Sequence, residues 1–493
     1  MSPFVGRERE LIELELTLGD LVAGKGGLVL VSGEAGIGKS RLCQEVADRA
    51  EARGVKVGWG RCWESGTQPP FAPWEQLLRQ VAEGTIAEVP VSPTDDPDLV
   101  RMRYFDEVVA QVRSVAARHP LLVVVDDLHW ADVALVRLLA YLASSRPDMP
   151  VVIMGTYRSD ELEAGSPLGK AILELARAGR HTPLAGVPAS DLPELVRSVS
   201  TVGGEVDVAA LHRLTGGNPL FAQELVRLLE AKGWPDHVTP GALPPVPETV
   251  REVLVRRLER LSDDCRRVLE TGAIIGDEFS IAVLEEVTGT RRERLLELVD
   301  EAVAAQLLRE TGVATCRFSH GLVRAALYDG LGVARRVRLH ERVGVALEAL
   351  RDRGHDVDVV GLARHFSESA AAGSAAKAVG YCVEAAHSAM SRCAYESAVS
   401  LYERALAALE LDPSAADRCA LLLGLGEAQV AAGNLDGARR TYLAAASLAR
   451  TAGRPAQLAR AALGVGSGGG FEVTLADREQ VDRSRGGAGR AGA

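Results

Sequence analysis

The sequence contains no run of 18 uninterrupted apolar residues, which is the length that would indicate a membrane-spanning helix. Its seven cysteines are scattered and include no C-x-x-C pair, so they offer neither a zinc motif nor a redox motif. Basic residues are also in the minority, with 56 Lys and Arg against 67 Asp and Glu and a net charge of −11. This balance disfavours a broad nucleic-acid-coating surface. We expect a cytoplasmic protein with reduced thiols and no membrane partner.

The composition is otherwise that of an ordinary globular protein, with 47% hydrophobic and 25% charged residues. A chain of 493 residues exceeds what one hydrophobic core usually supports. We therefore expect about three or four domains.

The first functional motif is a glycine-rich segment between a predicted strand, residues 27–32, and a predicted helix with apolar residues at 42, 46 and 50. The spacing G-x-x-x-x-G-K-S lets successive backbone N–H groups surround nucleotide phosphates, and the dipole of the following helix adds to their attraction. Lys39 would bridge the terminal phosphates, and the Ser40 hydroxyl would coordinate Mg²⁺. The alternative is a chance match. This predicted phosphate loop consists of Gly33, Glu34, Ala35, Gly36, Ile37, Gly38, Lys39 and Ser40.

Two carboxylates follow the apolar run at 121–125, which predicts a strand buried on both faces. In open α/β sheets, ligands bind at the carboxyl ends of the strands. Asp126 would hold Mg²⁺ through water, and Asp127 would orient or deprotonate an attacking water. The alternative is a pair of acids that begins a surface turn. Asp132 is placed as the N-cap of the next helix.

An arginine ends the next predicted strand, residues 151–157. Arg158 would reach the γ-phosphate and so distinguish a triphosphate from a diphosphate, although an isolated arginine is more often a surface ion-pair partner. Residues 181–184 suggest a short fifth strand, and 54–60 suggest a strand after the phosphate-loop helix.

Beyond residue 187 the pattern becomes helical. The Gly-Asn-Pro turn at 217–219 begins a helix with Pro219 near its first position. Five prolines between 235 and 247 mark a linker and a hinge candidate. Helices at 248–261, 263–274 and 280–304, the last broken near Gly289, then precede two short strands and predict a winged-helix domain.

The last part of the chain is rich in Ala and Leu and has a weak internal repeat. The segment from Ala394 to Tyr402 recurs 40 positions later, from Asn434 to Tyr442, which suggests stacked helical hairpins of tetratricopeptide type. Residues 483–493 have no apolar period and are predicted to be disordered.

These patterns predict an α/β P-loop NTPase with a parallel sheet, followed by helical, winged-helix-like and tetratricopeptide-like parts. The predicted boundaries are 1–186 for the ATPase domain, 187–234 for a small helical domain, 235–247 for the linker, 248–350 for the winged-helix-like domain, 355–480 for the repeats and 483–493 for the tail.

The motifs, in this order, resemble those of the signal-transduction ATPases with numerous domains, and more narrowly the AAA-like module of large LuxR-type transcriptional regulators. The resemblance extends over about residues 4–480. It rests on residues 5–8, the phosphate loop, residues 126–132, 156–158 and 217–219, and residues 318–324. The module is also similar to the ATPase part of soluble adenylate cyclases.

The resemblance implies an ATPase sheet, a helical domain, a winged helix and a helical sensor array. ADP would clamp a closed state, and ATP with an inducer would open it for assembly. Pro219 would contact the adenine side and His320 the diphosphate, although a lone histidine after a strand is as often a packed residue. Nucleotide contacts are also expected at Val5, Arg7 and Arg41. The expected cofactors are ATP or ADP and Mg²⁺.

The leading functional hypothesis is an ATP-binding switch with slow hydrolysis. The alternatives are a transcriptional regulator whose output domain is missing from this chain, and a helical scaffold with a residual nucleotide site. The expected partners are ATP, proteins or further copies that join through the ATPase module, and an unknown inducer at the helical repeats. We expect no sequence-specific DNA binding by this chain alone, because the helix at 291–301 has more acids than bases. The change to Arg, Gly and Ala near 483 suggests early termination or a shifted reading frame.

Overall fold

The structure is a computed structural model that describes residues 4–63, 68–81, 96–145, 149–163, 165–199, 208–232, 254, 257–258, 260–312 and 314–467. The predicted linker at 235–247 and the predicted tail at 483–493 lie outside these residues. Most of the helix predicted at 248–261 does too.

Within the described residues, the first part of the chain forms a five-stranded parallel sheet in the order β2-β3-β4-β1-β5. Its central strands β3 and β4 are buried along their whole length, as expected of apolar strands covered on both faces. The predicted parallel sheet is therefore confirmed. The strands are β1 Gly27–Ser32, β2 Lys56–Arg61, β3 Leu121–Asp126, β4 Val151–Tyr157 and β5 Arg180–Pro183.

Helices cover both faces of the sheet. On one face, leucines of α1 and α2, such as Leu14 and Leu42, pack on Val31 and Val124. On the other face, α3 to α6 pack on the alternate strand residues, including Val125. The sheet is thus the middle layer of an α/β sandwich, and its carboxyl edge is free to hold loops. The helices are α1 Glu8–Val22, α2 Lys39–Glu51, α3 Ala72–Val81, α4 Pro97–Ala116, α5 Val133–Ser144 and α6 Pro167–Arg177, with a 3₁₀ turn at Leu128–Trp130.

A small helical group follows the sheet and has its own core, in which Leu192, Leu211 and Phe221 are buried. Pro219 begins the last of its helices, as predicted. The helices are α7 Leu192–Val199, α8 Val208–Thr215 and α9 Pro219–Lys232.

The next region has the helices and hairpin of a winged-helix-like fold. Gly289 has a φ of 66° and separates two helices where the sequence predicted a break. Three short antiparallel strands form a sheet in the order β6-β8-β7 in the described part of this region. The elements are α10 Asp263–Ile275, β6 Glu278–Ser280, α11 Ile281–Thr288, α12 Arg292–Ala304, β7 Leu308–Gly312 and β8 Thr315–Phe318.

The remaining helices stack as antiparallel hairpins, and the 40-residue repeat has a packing cause. The ring of Tyr402 lies so close to Gly424 that a Cβ there would be 2.6 Å from the ring, and Tyr442 lies in the same way against Gly464. The tyrosine and the glycine both recur after 40 residues, so successive helical hairpins make the same contact and the predicted stacking of hairpins is confirmed. The helices are α13 Gly321–Gly330, α14 Val333–Asp352, α15 Val359–Glu368, α16 Ala375–Ser391, α17 Tyr395–Leu411, α18 Arg418–Ala431, α19 Leu435–Thr451 and α20 Pro455–Ser467, with a 3₁₀ turn at Ala370–Ala372.

Candidate nucleotide-binding site

The predicted site residues converge because the parallel strands end at the same edge of the sheet. Ser32, which precedes the phosphate loop, is opposite Tyr157, and Arg61 is opposite Asp126. Asp127 and Arg158 directly follow β3 and β4. The electrostatic environment of Lys39 includes Asp126, Asp127 and Arg158, so the cation and the carboxylates share one site.

The phosphate loop has a backbone that depends on glycine. Gly36 and Gly38 have φ values of 77° and 103°, in the left-handed region that disfavours other residues. A Cβ built on Gly38 would meet no atom within 4 Å, so the loop is open on that side. Lys39 Nζ donates hydrogen bonds of 2.8 Å to the Gly33 and Glu34 carbonyl oxygens. This concave loop with a buried ammonium group fits the phosphates of a nucleotide.

Asp126 is completely buried and accepts hydrogen bonds on both carboxylate oxygens. Its Oδ1 accepts from Ser40 Oγ at 2.9 Å and from Thr156 Oγ1 at 2.6 Å. Its Oδ2 accepts twice from Arg61, from Nη2 at 2.8 Å and from Nε at 3.1 Å. Ser40 and Asp126 supply the adjacent hard oxygen atoms that Mg²⁺ prefers, so these residues fit the predicted ion. Arg61, however, competes for the same carboxylate.

Asp127 has the protonation behaviour of a candidate general base. Burial, followed by the negative charge of Asp126, raises the pKa of Asp127 to about 7, while Arg158, Arg61 and Lys39 act in the opposite direction. Its side chain is still 20% exposed, so water can reach it. A carboxylate that titrates near neutral pH and contacts solvent can accept a proton from an attacking water.

Arg158 is held by contacts on two sides. It forms an ion pair with Glu161, and its guanidinium lies 4.9 Å from the centre of the Trp130 ring. A Cβ on Gly321 would lie 3.5 Å from Arg158 Nη2 and 3.7 Å from the Trp130 ring. The arginine beside the phosphate loop is therefore also next to the first residue of α13, in the second half of the chain.

The N-terminal residues predicted to contact the nucleotide lie beside the loop. Arg7 Nη2 donates a 3.0 Å hydrogen bond to the Ile37 carbonyl oxygen, and Val5 packs against the core of α7 to α9. The guanidinium of Arg41 is 5.6 Å from the centre of the Phe4 ring. These contacts support the loop from outside, and the predicted nucleotide contacts of all three residues stay predictions.

The Gly-Asn-Pro turn contacts the phosphate loop through its asparagine. Asn218 Nδ2 donates a 2.9 Å hydrogen bond to the Ala35 carbonyl oxygen, and its Oδ1 accepts from the N–H of Leu220 at the start of α9. A Cβ on Gly36 would lie 2.9 Å from Leu220. The loop and α9 are thus in direct contact, and Pro219 stands beside that contact as a predicted adenine neighbour.

His320 lies in a buried environment of positive charge. Burial, followed by Arg309, Arg227 and Arg257, lowers its pKa to about 4, so the ring is neutral at pH 7. Among the described residues, no hydrogen bond joins His320 to the phosphate loop. Its neighbour Gly321 approaches Arg158, so the segment reaches the site, and the predicted contact of His320 with the diphosphate stays a prediction.

Three residues in contact with the predicted site residues were missed or left without a role in the sequence analysis. Arg61 and Thr156 both bond to Asp126, and Asn218 bonds to the phosphate loop. Arg61 and Thr156 stand at the ends of predicted strands, at the edge where ligands bind. That position was the available signal.

Residues 3–154 match the AAA ATPase domain family. The match covers the phosphate loop, Asp126 and Asp127. The chain is also similar, with 25% identity over 91% of its length, to an uncharacterized protein of Rhizobium meliloti (strain 1021). The chain spans 47% of that protein, which is about half the length of this curated relative.

Two solved structures are similar at a low level. One is a signal transduction ATPase with numerous domains that carries a tetratricopeptide repeat sensor, from Pyrococcus horikoshii. Its TM-score is 0.43, with 14% identity, over 99% of this chain and 83% of that chain. The other is the ORC1 protein of Aeropyrum pernix in complex with DNA, with a TM-score of 0.35 and 17% identity over 68% of this chain and 95% of that chain. Similarity at these levels assigns no activity to this chain.

None of the helices in the described part of the chain is both long enough and apolar enough to cross a membrane.

Proposed function

We propose that the chain is an ATP-binding signal-transduction switch with slow, Mg²⁺-dependent hydrolysis, and that it is the regulatory ATPase portion of a LuxR-type transcriptional regulator. In this proposal Lys39 and the loop N–H groups bind the phosphates. Ser40 and Asp126 hold Mg²⁺, and Asp127 acts on the attacking water. The ion neutralises phosphate charge when it is bound. Arg158 reports whether a γ-phosphate is present.

The observation that carries this proposal is the position of Arg158 between the two halves of the molecule. The same guanidinium is close to Lys39 and in contact with Trp130, and it faces the first residue of α13. A γ-phosphate would compete with Glu161 for this guanidinium, because Arg prefers multiply charged oxyanions. Any movement of Arg158 would alter the contact with α13, which is what a nucleotide-dependent switch needs.

A continuous interface between the ATPase sheet and the repeats supports a role for the repeats in signal reception. The apolar core on the α3–α6 face continues into α15 to α18. At the interface Glu396 of α17 pairs with Arg137 and lies 3.8 Å from Arg101, and the Tyr395 hydroxyl donates to the Pro97 carbonyl oxygen at 3.1 Å. A signal that moves α17 would therefore be felt by the ATPase helices.

A cavity of about 660 Å³ lies in this interface. Its wall includes Trp63 and Trp130 from the ATPase side and Glu396 and Arg404 from α17. Trp63 Nε1 and Glu396 Oε2 are buried and have no hydrogen-bond partner among the described residues. Cavities of this size typically hold small ligands. We place the proposed inducer site here, at the face of the repeats that meets the ATPase.

The test is a measurement of molecular shape with each nucleotide. Small-angle scattering on the full chain should give a compact particle with ADP and a more extended or assembled one with ATP and inducer. Arg158→Ala should stay compact with ATP, whereas His320→Ala should open more readily with ADP, because the two residues would favour opposite states. Identical profiles for the parent and both variants, under all nucleotide conditions, would contradict a two-state switch built on these residues.

A DNA-reading role for this chain alone is not part of the proposal. In α12, Arg294 lies 2.7 Å from Glu297 and 3.4 Å from Asp264, and Arg292 lies 3.9 Å from Glu285. Specific readout requires side chains that reach base edges from an element held against the DNA backbone by clustered bases, and both arginines of α12 face acids instead. Nanomolar, sequence-selective retention of a duplex at physiological salt would overturn this part of the proposal.

A further inference from the structure

A second cavity, separate from the nucleotide site, lies in the winged-helix-like region. It has a volume of about 660 Å³ and is bounded by α10, the turn between α11 and α12, and α14. Neither the AAA ATPase domain match, which ends at residue 154, nor the proposed switch assigns it a role. Its wall is rich in basic side chains. The basic side chains that line it are Arg267, Arg294, Arg335, Arg338 and Arg342.

The acids are few around this cavity, although they outnumber the bases in the whole chain. Asp264 is the one acid in the described lining, and it pairs with both Arg267 and Arg294. Two acids from outside the lining also take part, because Glu270 pairs with Arg335 and Glu297 pairs with Arg294. The Arg338 side chain makes no hydrogen bond or ion pair with any described residue and is exposed. Positive charge is therefore left uncompensated at the cavity.

The balance of charge at this cavity differs from that around two arginines on the surface of the repeats. There, Arg351 pairs with Glu384 and Arg460 pairs with Glu427, one acid for each base. Five arginines face three acids around this concave space, so a net positive charge remains, and an anion with several negative groups would neutralise it. Guanidinium groups bind phosphate oxygens with two parallel hydrogen bonds, which a multiply phosphorylated ligand can use several times.

The floor of the cavity indicates that the ligand is more than an inorganic ion. Val268, Leu298 and Leu339 line it and are buried, so an apolar surface lies beneath the ring of arginines. The volume lies within the range of about 300–1,000 Å³ that is usual for organic ligands. A flat organic group on this floor could also stack with guanidinium planes.

We propose that this cavity binds a small organic anion carrying two or more phosphates, of the nucleoside diphosphate class. The ligand would bridge α14 to α10 and α12. Because α14 also packs against α15, through the contact of Gly344 with the Phe366 ring, the bound anion would stiffen the connection between the winged-helix-like region and the repeats. The site is regulatory and independent of the phosphate loop.

The experiment separates this site from the phosphate loop by using the Lys39→Ala chain without Mg²⁺. Inorganic pyrophosphate is the probe, and its binding is measured by isothermal titration calorimetry. The test variant adds Arg267→Glu and Arg338→Glu, which change two exposed side chains. The control adds Arg113→Glu and Arg177→Glu, which make the same change of net charge at exposed positions on α4 and α6.

Pyrophosphate should bind to the Lys39→Ala chain, and its affinity should fall at least about tenfold in the test variant and less than about twofold in the control. Hydrogen exchange in α14 should slow when the probe is added to the Lys39→Ala chain, and should not slow in the test variant. Equal losses of affinity in the test and control variants would reduce the effect to net charge and overturn the proposal. Failure of pyrophosphate to bind to the Lys39→Ala chain would also overturn the proposal, and salt-sensitive duplex binding that depends on Arg267 and Arg338 would then identify the surface as a nucleic-acid contact.

Discussion

Replacement of Arg61 by glutamine should increase the affinity of the ATP-bound protein for Mg²⁺. The reason is that Arg61 and the ion need the same carboxylate. Arg61 donates two hydrogen bonds to Asp126 Oδ2, at 2.8 and 3.1 Å, while Ser40 and Thr156 occupy Oδ1. A carboxylate has about four lone-pair sites, and all four accept here. Any approach of Mg²⁺ or its water to Asp126 therefore displaces a donor.

The size of the effect follows from the contact that is displaced. A hydrogen bond to a charged group contributes about 1.5–3 kcal/mol, and the Arg61 side chain is only 25% exposed, so screening by water is limited. If half of this interaction is lost when the ion binds, Arg61→Gln should bind Mg²⁺ about three- to tenfold more tightly, since 1.4 kcal/mol is a factor of ten. Glutamine keeps a neutral donor, so the strand end should not lose its shape.

The assay is a Mg²⁺ titration of the ATP-saturated chain followed by a fluorescent nucleotide analogue, with thermal unfolding as a second measurement. Without Mg²⁺, Arg61→Gln should be less stable than the parent, because the buried Asp126 loses its cation, and Mg²⁺ should restore more stability to the variant than to the parent. Arg61→Lys, which keeps the charge, is the control and should resemble the parent. Equal or weaker Mg²⁺ affinity in Arg61→Gln would refute the idea that Arg61 competes with the ion.

Three further predictions rest on charged or titratable groups. Asp127→Asn should keep nucleotide affinity but lose hydrolysis. Hydrolysis by the parent should decline as pH falls below about 7, because the pKa of Asp127 is raised to about 7 and the ionised carboxylate is needed as the base. Equal turnover by the parent and the variant would remove Asp127 from the mechanism. Glu224→Gln should weaken the attachment of α9 to the winged-helix-like region by about 3–5 kcal/mol, because the buried Glu224 pairs with Arg257 and Arg227. The loss should be seen as faster hydrogen exchange in α9, and unchanged exchange would mean that the two ion pairs contribute little. The His340–His365 contact should make unfolding sensitive to acid, because burial, followed by Arg364, lowers the pKa of His340 to about 3. Between pH 6.5 and 3 only the unfolded chain binds the proton at this histidine, so the free energy of unfolding should fall by about 1.4 kcal/mol for each pH unit of acidification. A His340→Gln variant with the same acid sensitivity as the parent would contradict this.

The parts of the fold that were predicted well are those encoded by local pattern. The runs at 121–125 and 151–157 are apolar at nearly every position, and both became central strands. Asp132 caps α5 as expected, accepting from the Leu135 N–H at 2.7 Å. The phosphate loop is likewise a contiguous motif whose glycines fix its backbone. Such features are recognisable because every residue that determines them lies within a few positions in the chain.

The parts that were missed depend on register and on contacts between distant residues. Arg61 matters because β2 pairs with β3 so that Arg61 stands opposite Asp126, 65 positions further along the chain. Asn218 matters because its helix end packs on Ala35, which is 183 positions away. For His320, the charges that act on the ring come from Arg309, Arg227 and Arg257, and its predicted contact with the diphosphate stays a prediction. Local sequence does not specify any of these neighbours.

The energy that a switch requires limits how it can be built in this molecule. Trp130 contacts Arg158 on one side and lines the interface cavity with α17 on the other, so it links the nucleotide site to the repeats. A partly buried cation–π contact contributes about 2 kcal/mol, which corresponds to roughly a thirtyfold change in an equilibrium. A complete change from 1:99 to 99:1 needs about 5.5 kcal/mol. The contact with Trp130 is therefore insufficient alone, and further contacts, such as the ion pairs of Glu396 and Glu224, have to change with it if nucleotide is to reverse the balance of states.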